Sequence, residues 1–162
     1  NNSIKLVVFF QATQPKYKDF SLLDDKFINK VVNINCISSI KITYYLIKKK
    51  LISKDCKIIF FSSRSGSIKE RGTFKFHKPG GNNLYRASKA ILNSFIKNLA
   101  FEFQFTKYIF LAYHPGWVKT KSSGGKDLTK KKASDYFIKI LKNIKKKHSG
   151  CFINYDLKKI NW

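Results

Sequence analysis

Four short apolar runs, separated by longer stretches with helical spacing, constrain this 162-residue chain more than any other feature. Lys5-Leu-Val-Val-Phe-Phe10, Lys57-Ile-Ile-Phe-Phe61 and Tyr108-Ile-Phe-Leu-Ala112 are apolar at successive positions, so both faces of each strand avoid water. That pattern belongs to parallel strands covered on both sides. Gly150-Cys-Phe-Ile-Asn-Tyr155 is the fourth run. The spacing predicts strand 5–11, helix 25–49, strand 57–62, helix 83–103, strand 107–112, helix 130–145 and strand 150–155. Alternating strands and helices imply right-handed crossovers, hence an α/β class with a doubly wound parallel sheet.

Ligands of open α/β sheets bind outside the carboxyl ends of the strands, so the residues just after each run are the first candidates for a site. The second run ends at Ser62-Ser63-Arg64-Ser65-Gly66 and the third at His114-Pro115-Gly116-Trp117-Val118-Lys119-Thr120. On the helix between them, Tyr85 and Lys89 stand four residues apart and share one face. A cation one turn from a phenol favours the phenolate and would bring Tyr85 toward acid–base chemistry near neutrality. Alone, such a pair reads as a solvated surface contact; its setting between two strand ends changes that reading.

The ordered motifs Ser62-Ser-Arg-Ser-Gly-Ser67, Tyr85-Arg-Ala-Ser-Lys-Ala-Ile-Leu-Asn93 and His114-Pro-Gly-Trp-Val-Lys-Thr120 resemble the short-chain dehydrogenase/reductase family. Their wording is similar to its C-factor and sniffer-like carbonyl reductase branch, as is the ending from Gly150 to Trp162. The resemblance implies the C-terminal part of a Rossmann-like sheet of four strands. It implies an NAD(P)-dependent oxidoreductase, of carbonyl reductase or alcohol dehydrogenase type, with NADP somewhat favoured over NAD. Tyr85 would be the general acid or base, Lys89 would lower its pKa and bind the nicotinamide ribose, and Ser63 would hold the substrate oxygen. Asn35 would help carry a proton-relay water, with Asn33 as a competitor for that role. Ala12, Tyr85, Lys89, Pro115, Gly116, Val118 and Thr120 would contact the cofactor. The implied partners are a small carbonyl or alcohol substrate and further copies of the full-length chain.

Departures from the family pattern matter as well. The glycine-rich turn that normally comes after the family's first strand is absent, and Phe10-Gln-Ala-Thr13 stands in place of Asn-Asn-Ala-Gly, leaving Ala12 as the one identity. Leu157 occupies the position of a closing-turn glycine. The chain contains no Met, and its first strand would be a bare apolar edge, which native sheets avoid. These features imply a single-domain catalytic half whose N-terminal cofactor-binding strands lie outside the sequence.

The net charge of +24 suits nucleic acid or anionic membranes, but Arg64, Arg71 and Arg86 are the only arginines among 33 basic residues. Phosphate clamping favours Arg over Lys, and Lys, Asn, Ile, Phe and Tyr together suggest AT-rich codon use, so no specific nucleic-acid partner is expected. Lys48–Lys50 and Lys145–Lys147 are expected at helix C-termini, where positive charge is favourable. Lys130–Lys132 falls in an early helical turn, where it is not, and needs another reason. Cys36, Cys56 and Cys151 are widely spaced, and His77, His114 and His148 are isolated. These features imply reduced thiols, no metal site and a cytoplasmic setting. No apolar run approaches membrane-spanning length.

Two long connections, Ser67 to Asn83 and Lys119 to Thr129, contain Pro79-Gly-Gly81 and Gly124-Gly125 and read as site-covering segments with hinges. Phe74, Phe76 and Trp117 are candidates for an apolar substrate wall or for ordinary loop packing. Two rival functions remain beside the reductase: a non-catalytic relative that binds nucleotide or protein, and a basic nucleic-acid binder.

Overall fold

The computed structural model describes residues 3–14, 24–72, 82–120 and 128–162. Four strands, β1 (Ile4–Phe9), β2 (Ile52–Phe61), β3 (Ile109–His114) and β4 (Cys151–Asn154), form one sheet in the order β1-β2-β3-β4. Every neighbouring pair is parallel, with Val7 opposite Ile58, Ile58 opposite Phe110 and Leu111 opposite Cys151. The expected α/β, Rossmann-like architecture is therefore the observed one.

The helices are α1 (Asp25–Val32), α2 (Ser38–Lys48), α3 (Asn83–Glu102) and α4 (Lys130–Asn143). Asp24 caps α1 by accepting from the Phe27 amide at 2.6 Å, and Thr129 caps α4 by accepting from the Lys132 amide at 3.2 Å. The single helix expected over 25–49 is interrupted by a π turn at Asn33–Ile37. Apolar spacing carries through that turn, so sequence periodicity does not reveal it. Within α2 the buried hydroxyls bond back along the helix, Ser39 Oγ to the Cys36 carbonyl at 2.7 Å and Thr43 Oγ1 to the Ser39 carbonyl at 2.8 Å. They can thus be buried without stranding a polar atom.

Alternation along the strands divides the core into two layers. Phe9, Ile58, Phe60, Phe110, Ala112 and Phe152 face α2 and α3 through Cys36, Ile40, Leu92, Ile96 and Leu99. Ile59, Leu111, Tyr113 and Ile153 face Ile140 and Ile144 at the other side. This two-sided cover is why the runs lack polar alternation.

Several boundaries differ from the sequence reading. β2 begins at Ile52 rather than 57, because its pairing with β1 shifts register between Ile4 and Leu6 and accommodates the exposed Lys54 and Asp55. β3 runs to His114, carrying that residue into the sheet's carboxyl edge. Lys145–Lys147 lies beyond α4, which ends at Asn143; Lys146–His148 forms a separate 3-10 turn. Its His148 Nδ1 accepts from the Lys145 amide at 2.9 Å, and Lys146 Nζ donates to the carbonyl of Phe103, the C-terminal cap of α3, at 3.4 Å, so this lysine complements the end of α3 rather than that of α4. Phe74, Phe76 and the glycine pairs Gly80-Gly81 and Gly124-Gly125 lie outside the described residues. β1 pairs only with β2 among the described residues, and Ile4 and Leu6 are each 41% exposed there. No described helix is long and apolar enough to cross a membrane.

Candidate active site

The strand ends and α3 converge as the parallel topology requires. β2 hands the chain to Ser62 and Ser63, and Ser63 caps a 3-10 turn (Arg64–Gly66) by accepting from the Ser65 amide at 3.2 Å. Ser62 turns inward: its Oγ donates to Asn93 Oδ1 at 2.5 Å, and Asn93 Nδ2 donates to the Gly66 carbonyl at 3.3 Å. Both ends of the serine turn are thereby pinned to α3, leaving Ser63 to face the cleft.

Tyr85 and Lys89 meet Ser63 from α3. Ser63 stands close enough to Tyr85 for its hydroxyl to act on the phenol. Lys89, only 1% exposed, donates from Nζ to the Phe61 carbonyl at 2.8 Å, and that ammonium lies 5.9 Å from the centroid of the Tyr85 ring. Burial lowers the Lys89 pKa to about 8, with the nearby Cys36 thiol acting in the opposite direction. Burial also raises the Tyr85 phenol above its ordinary value, while the Ser63 hydroxyl lowers it. The lowering by Lys89 that the resemblance implies is not what this geometry produces: desolvation dominates, and the Lys89 ammonium is drawn to a backbone carbonyl.

Asn35 is buried in the π turn, whereas Asn33 is exposed. The Asn35 amide donates to the Thr13 carbonyl and to Ser88 Oγ, each at 2.9 Å, and its Oδ1 accepts from the Thr13 amide at 2.6 Å. Both amide protons are therefore engaged, and the side chain could meet a relay water only as an acceptor. Its evident work is to tie the segment after β1 to α3, a role that needed knowledge of Thr13 and Ser88 as partners.

The open cleft at the carboxyl edge has a volume of about 1070 Å³. Ala12, Tyr85, Lys89, Pro115, Gly116, Val118 and Thr120, expected at the cofactor, all line it together with Ser63. Asn35 does not line it, and Trp117 does. The backbone from Trp117 to Lys119 is zipped to Leu128, the Lys119 amide donating to the Leu128 carbonyl at 2.8 Å and the Leu128 amide to the Trp117 carbonyl at 3.3 Å. Gly116 has φ +79°, and a Cβ there would come within 2.5 Å of Leu128 Cδ1 and 2.7 Å of Tyr155 Cδ1. Only glycine gives this turn its shape, because any side chain would drive into Leu128 and Tyr155.

Sequence reading missed three contributors. Tyr113 lines the cleft from β3, packed at 5.1 Å from Phe61 and 5.2 Å from Phe137, and burial raises its phenol to about 12. His114 also lines it, with burial and the nearby Arg64 charge lowering its imidazole to about 4. Asn93 supports the serine turn from one helical turn beyond Lys89. Asn93 and His114 already stand at the ends of two of the sequence motifs, where they carry no assigned role; Tyr113 carried no distinguishing signal within its apolar run.

Comparison with known proteins places this arrangement. The family model for short chain dehydrogenases matches residues 6–131. An uncharacterized oxidoreductase of Schizosaccharomyces pombe is 32% identical over 131 residues, covering 70% of this chain and 48% of the relative. C-signal of Myxococcus xanthus is 24% identical over 135 residues, covering 82% and 77% respectively. The chain spans about half the length of most of the curated relatives it matches. In fold it is similar to the NADPH-bound carbonyl reductase from chicken fatty liver, with TM-score 0.86, 24% identity, and coverage of 99% of this chain and 67% of that one. The carbonyl reductase Sniffer of D. melanogaster gives TM-score 0.86 at 22% identity with the same coverage. With a family model matched across most of its length and a parallel sheet carrying the family's motifs at its carboxyl edge, this chain belongs to the short-chain dehydrogenase family.

Proposed function

We propose that the protein is an NAD(P)-dependent oxidoreductase that reduces a small carbonyl compound, or oxidises the corresponding alcohol, with Tyr85 as the proton-transferring group. The observation that carries this reading is the convergence of Ser63, Tyr85 and Lys89 on one cleft, with Lys89 Nζ 5.9 Å from the centroid of the Tyr85 ring. A bound nicotinamide cofactor would supply or accept the hydride. Pro115, Gly116, Val118 and Thr120 would hold its carboxamide end, and Ala12 and Lys89 its ribose side. NADP is favoured over NAD because similar solved structures carry NADP or NADPH.

Ser63 would donate to the substrate oxygen and hold it against Tyr85. Tyr85 would then deliver its proton to that oxygen as the carbonyl carbon is reduced, or remove it in the reverse direction. Burial keeps the Tyr85 phenol in its acid form at neutral pH but also makes it the weaker acid, and the Ser63 hydroxyl works against that shift. Asn35 would position the Thr13 segment against α3. The protein would form homo-oligomers and would work in the cytoplasm.

Tyr85→Phe in the complete protein tests this reading. It removes the transferable proton while leaving the ring in place, so reduction should fall by about a hundredfold or more with cofactor affinity largely retained. Lys89→Ala should reduce both rate and affinity. Steady-state rates and cofactor titration decide between them, and near-normal turnover by Tyr85→Phe would rule out the mechanism.

A further inference from the structure

The edge of the sheet opposite the cleft carries a feature that the reductase chemistry does not use. In an all-parallel sheet each helix-to-strand connection arrives at the amino ends of the strands, so the turns after α2, α3 and α4 gather at that edge. These three turns carry Lys48–Lys50, Lys107 and Lys145–Lys147, all of them exposed. Among the described residues only Asp55 and Glu102 bring negative charge there. Glu102 accepts from the Tyr44 hydroxyl at 2.5 Å, and Asp55 is within electrostatic reach of Lys5 and Lys107.

β3 lies between β2 and β4, so the turn that leads into it, residues 103–108, is the middle one of the three. It is braced from both sides. Lys146 Nζ donates to the carbonyls of Phe103 and Tyr108, at 3.4 and 3.0 Å, and the Tyr44 ring of α2 lies 6.4 Å from the ring of Phe103. Phe103 also packs against Tyr108 and Phe110, at 6.0 and 5.8 Å, and is the aromatic that holds the turn to the core. Phe105 has no such use. It stands in the same turn 96% exposed, with Phe101 in the last turn of α3 at 72%.

Turns favour small or polar residues, and a phenylalanine left in water forgoes the burial that is its main contribution to stability. AT-rich codon use accounts for many lysines and phenylalanines, and single exposed apolar side chains are ordinary. Neither accounts for a nearly bare phenylalanine in a braced turn flanked by two further lysine-bearing turns. Lipid surfaces call for both features, because anionic headgroups attract lysines while an aromatic ring gains by entering the interfacial layer. Duplex phosphates would use the lysines alone, and this edge has no described arginine.

We propose that the amino edge of the sheet is a peripheral docking face for an anionic lipid membrane. Lys48–Lys50, Lys107 and Lys145–Lys147 meet the headgroups, and Phe105 enters the interfacial layer. The cleft, at the carboxyl edge, then opens toward water and stays free while the protein is docked.

The test mixes the protein with phosphatidylcholine vesicles that either lack phosphatidylserine or contain about one-third of it, and measures the fraction that sediments with them. Partition onto the anionic vesicles should be at least about tenfold stronger at low ionic strength and should weaken with added salt. Lys49→Gln, Lys107→Gln and Lys147→Gln combined should lower it about tenfold, and Phe105→Ser severalfold. All four side chains are exposed, so neither variant disturbs the core. Lys26→Gln, Lys30→Gln and Lys131→Gln, which remove the same charge from exposed positions on α1 and α4, should have much less effect. Equal partition onto neutral and anionic vesicles overturns the proposal, as does an equal loss in the two lysine triples, which would make total charge responsible. If Phe105→Ser binds vesicles as well as the parent, the proposal fails; duplex DNA that then binds through the same lysines would reassign the face to nucleic acid.

Discussion

Gly66 lies directly against the backbone of Lys89: a Cβ on Gly66 would stand 2.8 Å from both the carbonyl carbon and the Cβ of Lys89. The serine turn and the Tyr-Lys helix are therefore held at a separation that only glycine allows. Gly66→Ala should push the turn off α3, destabilise the fold by about 1–3 kcal/mol and lower reductase activity by about tenfold or more. Urea unfolding and steady-state rates on the same variant check both effects; unchanged stability would show that the turn can move away from α3 without cost.

Ser62 and Asn93 hold the other end of the turn. Ser62→Ala leaves the buried Asn93 Oδ1 without its donor and should cost about 1–3 kcal/mol. Ser62→Ala combined with Asn93→Leu should cost less than the sum of the two single changes, and additivity in a double-mutant cycle would refute the coupling.

Leu157 adopts φ +69° in the turn after β4, where its amide donates to the Asn154 carbonyl at 3.0 Å. An L side chain in the left-handed region costs about 1–2 kcal/mol, and this one is 37% exposed. Leu157→Gly should stabilise the protein by about 1 kcal/mol after the extra chain entropy of glycine is counted. A lowered unfolding midpoint would mean that the leucine makes a contact worth more than its strain.

His114 sets an acid limit. Its imidazole pKa is lowered from 6.5 to about 4 by burial and Arg64, so between those values the unfolded chain binds the proton and the folded chain does not. Its contribution is present in full above pH 6.5 and is lost as pH falls toward 4, by at most about 3 kcal/mol. His114→Asn should flatten the stability profile across that window. Equal slopes for the two proteins would assign the acid sensitivity to other groups.

The range of each interaction decides whether the sequence displays it. β2, β3 and the Tyr85–Lys89 face rest on neighbours within a few residues, and periodicity reveals them. The first half of β2 is hidden because Lys54 and Asp55 interrupt the apolar run, and the π turn at Asn33–Ile37 is hidden because it keeps the helical phase. Lys89 with the Phe61 carbonyl, Asn35 with Thr13 and Ser88, and Gly66 with Lys89 each join parts of the chain that only folding brings together. The direction of the Tyr85 shift failed for the same reason: spacing reports the nearby cation but not the depth of burial or the carbonyl that claims it.

The all-parallel sheet also governs when the site can come into being. Its three strand pairings join Val7 to Ile58, Ile58 to Phe110 and Leu111 to Cys151, so none can close until tens of intervening residues have been synthesised. Such non-local pairing slows folding, because loop-closure entropy must be overcome before the contacts form. Ser63 and Tyr85 can meet once β2 and α3 dock, but the wall carrying Gly116 needs β3, Leu128 and Tyr155. On a ribosome, Ser63 and Tyr85 would thus come together well before the wall that carries Gly116 can form beside them.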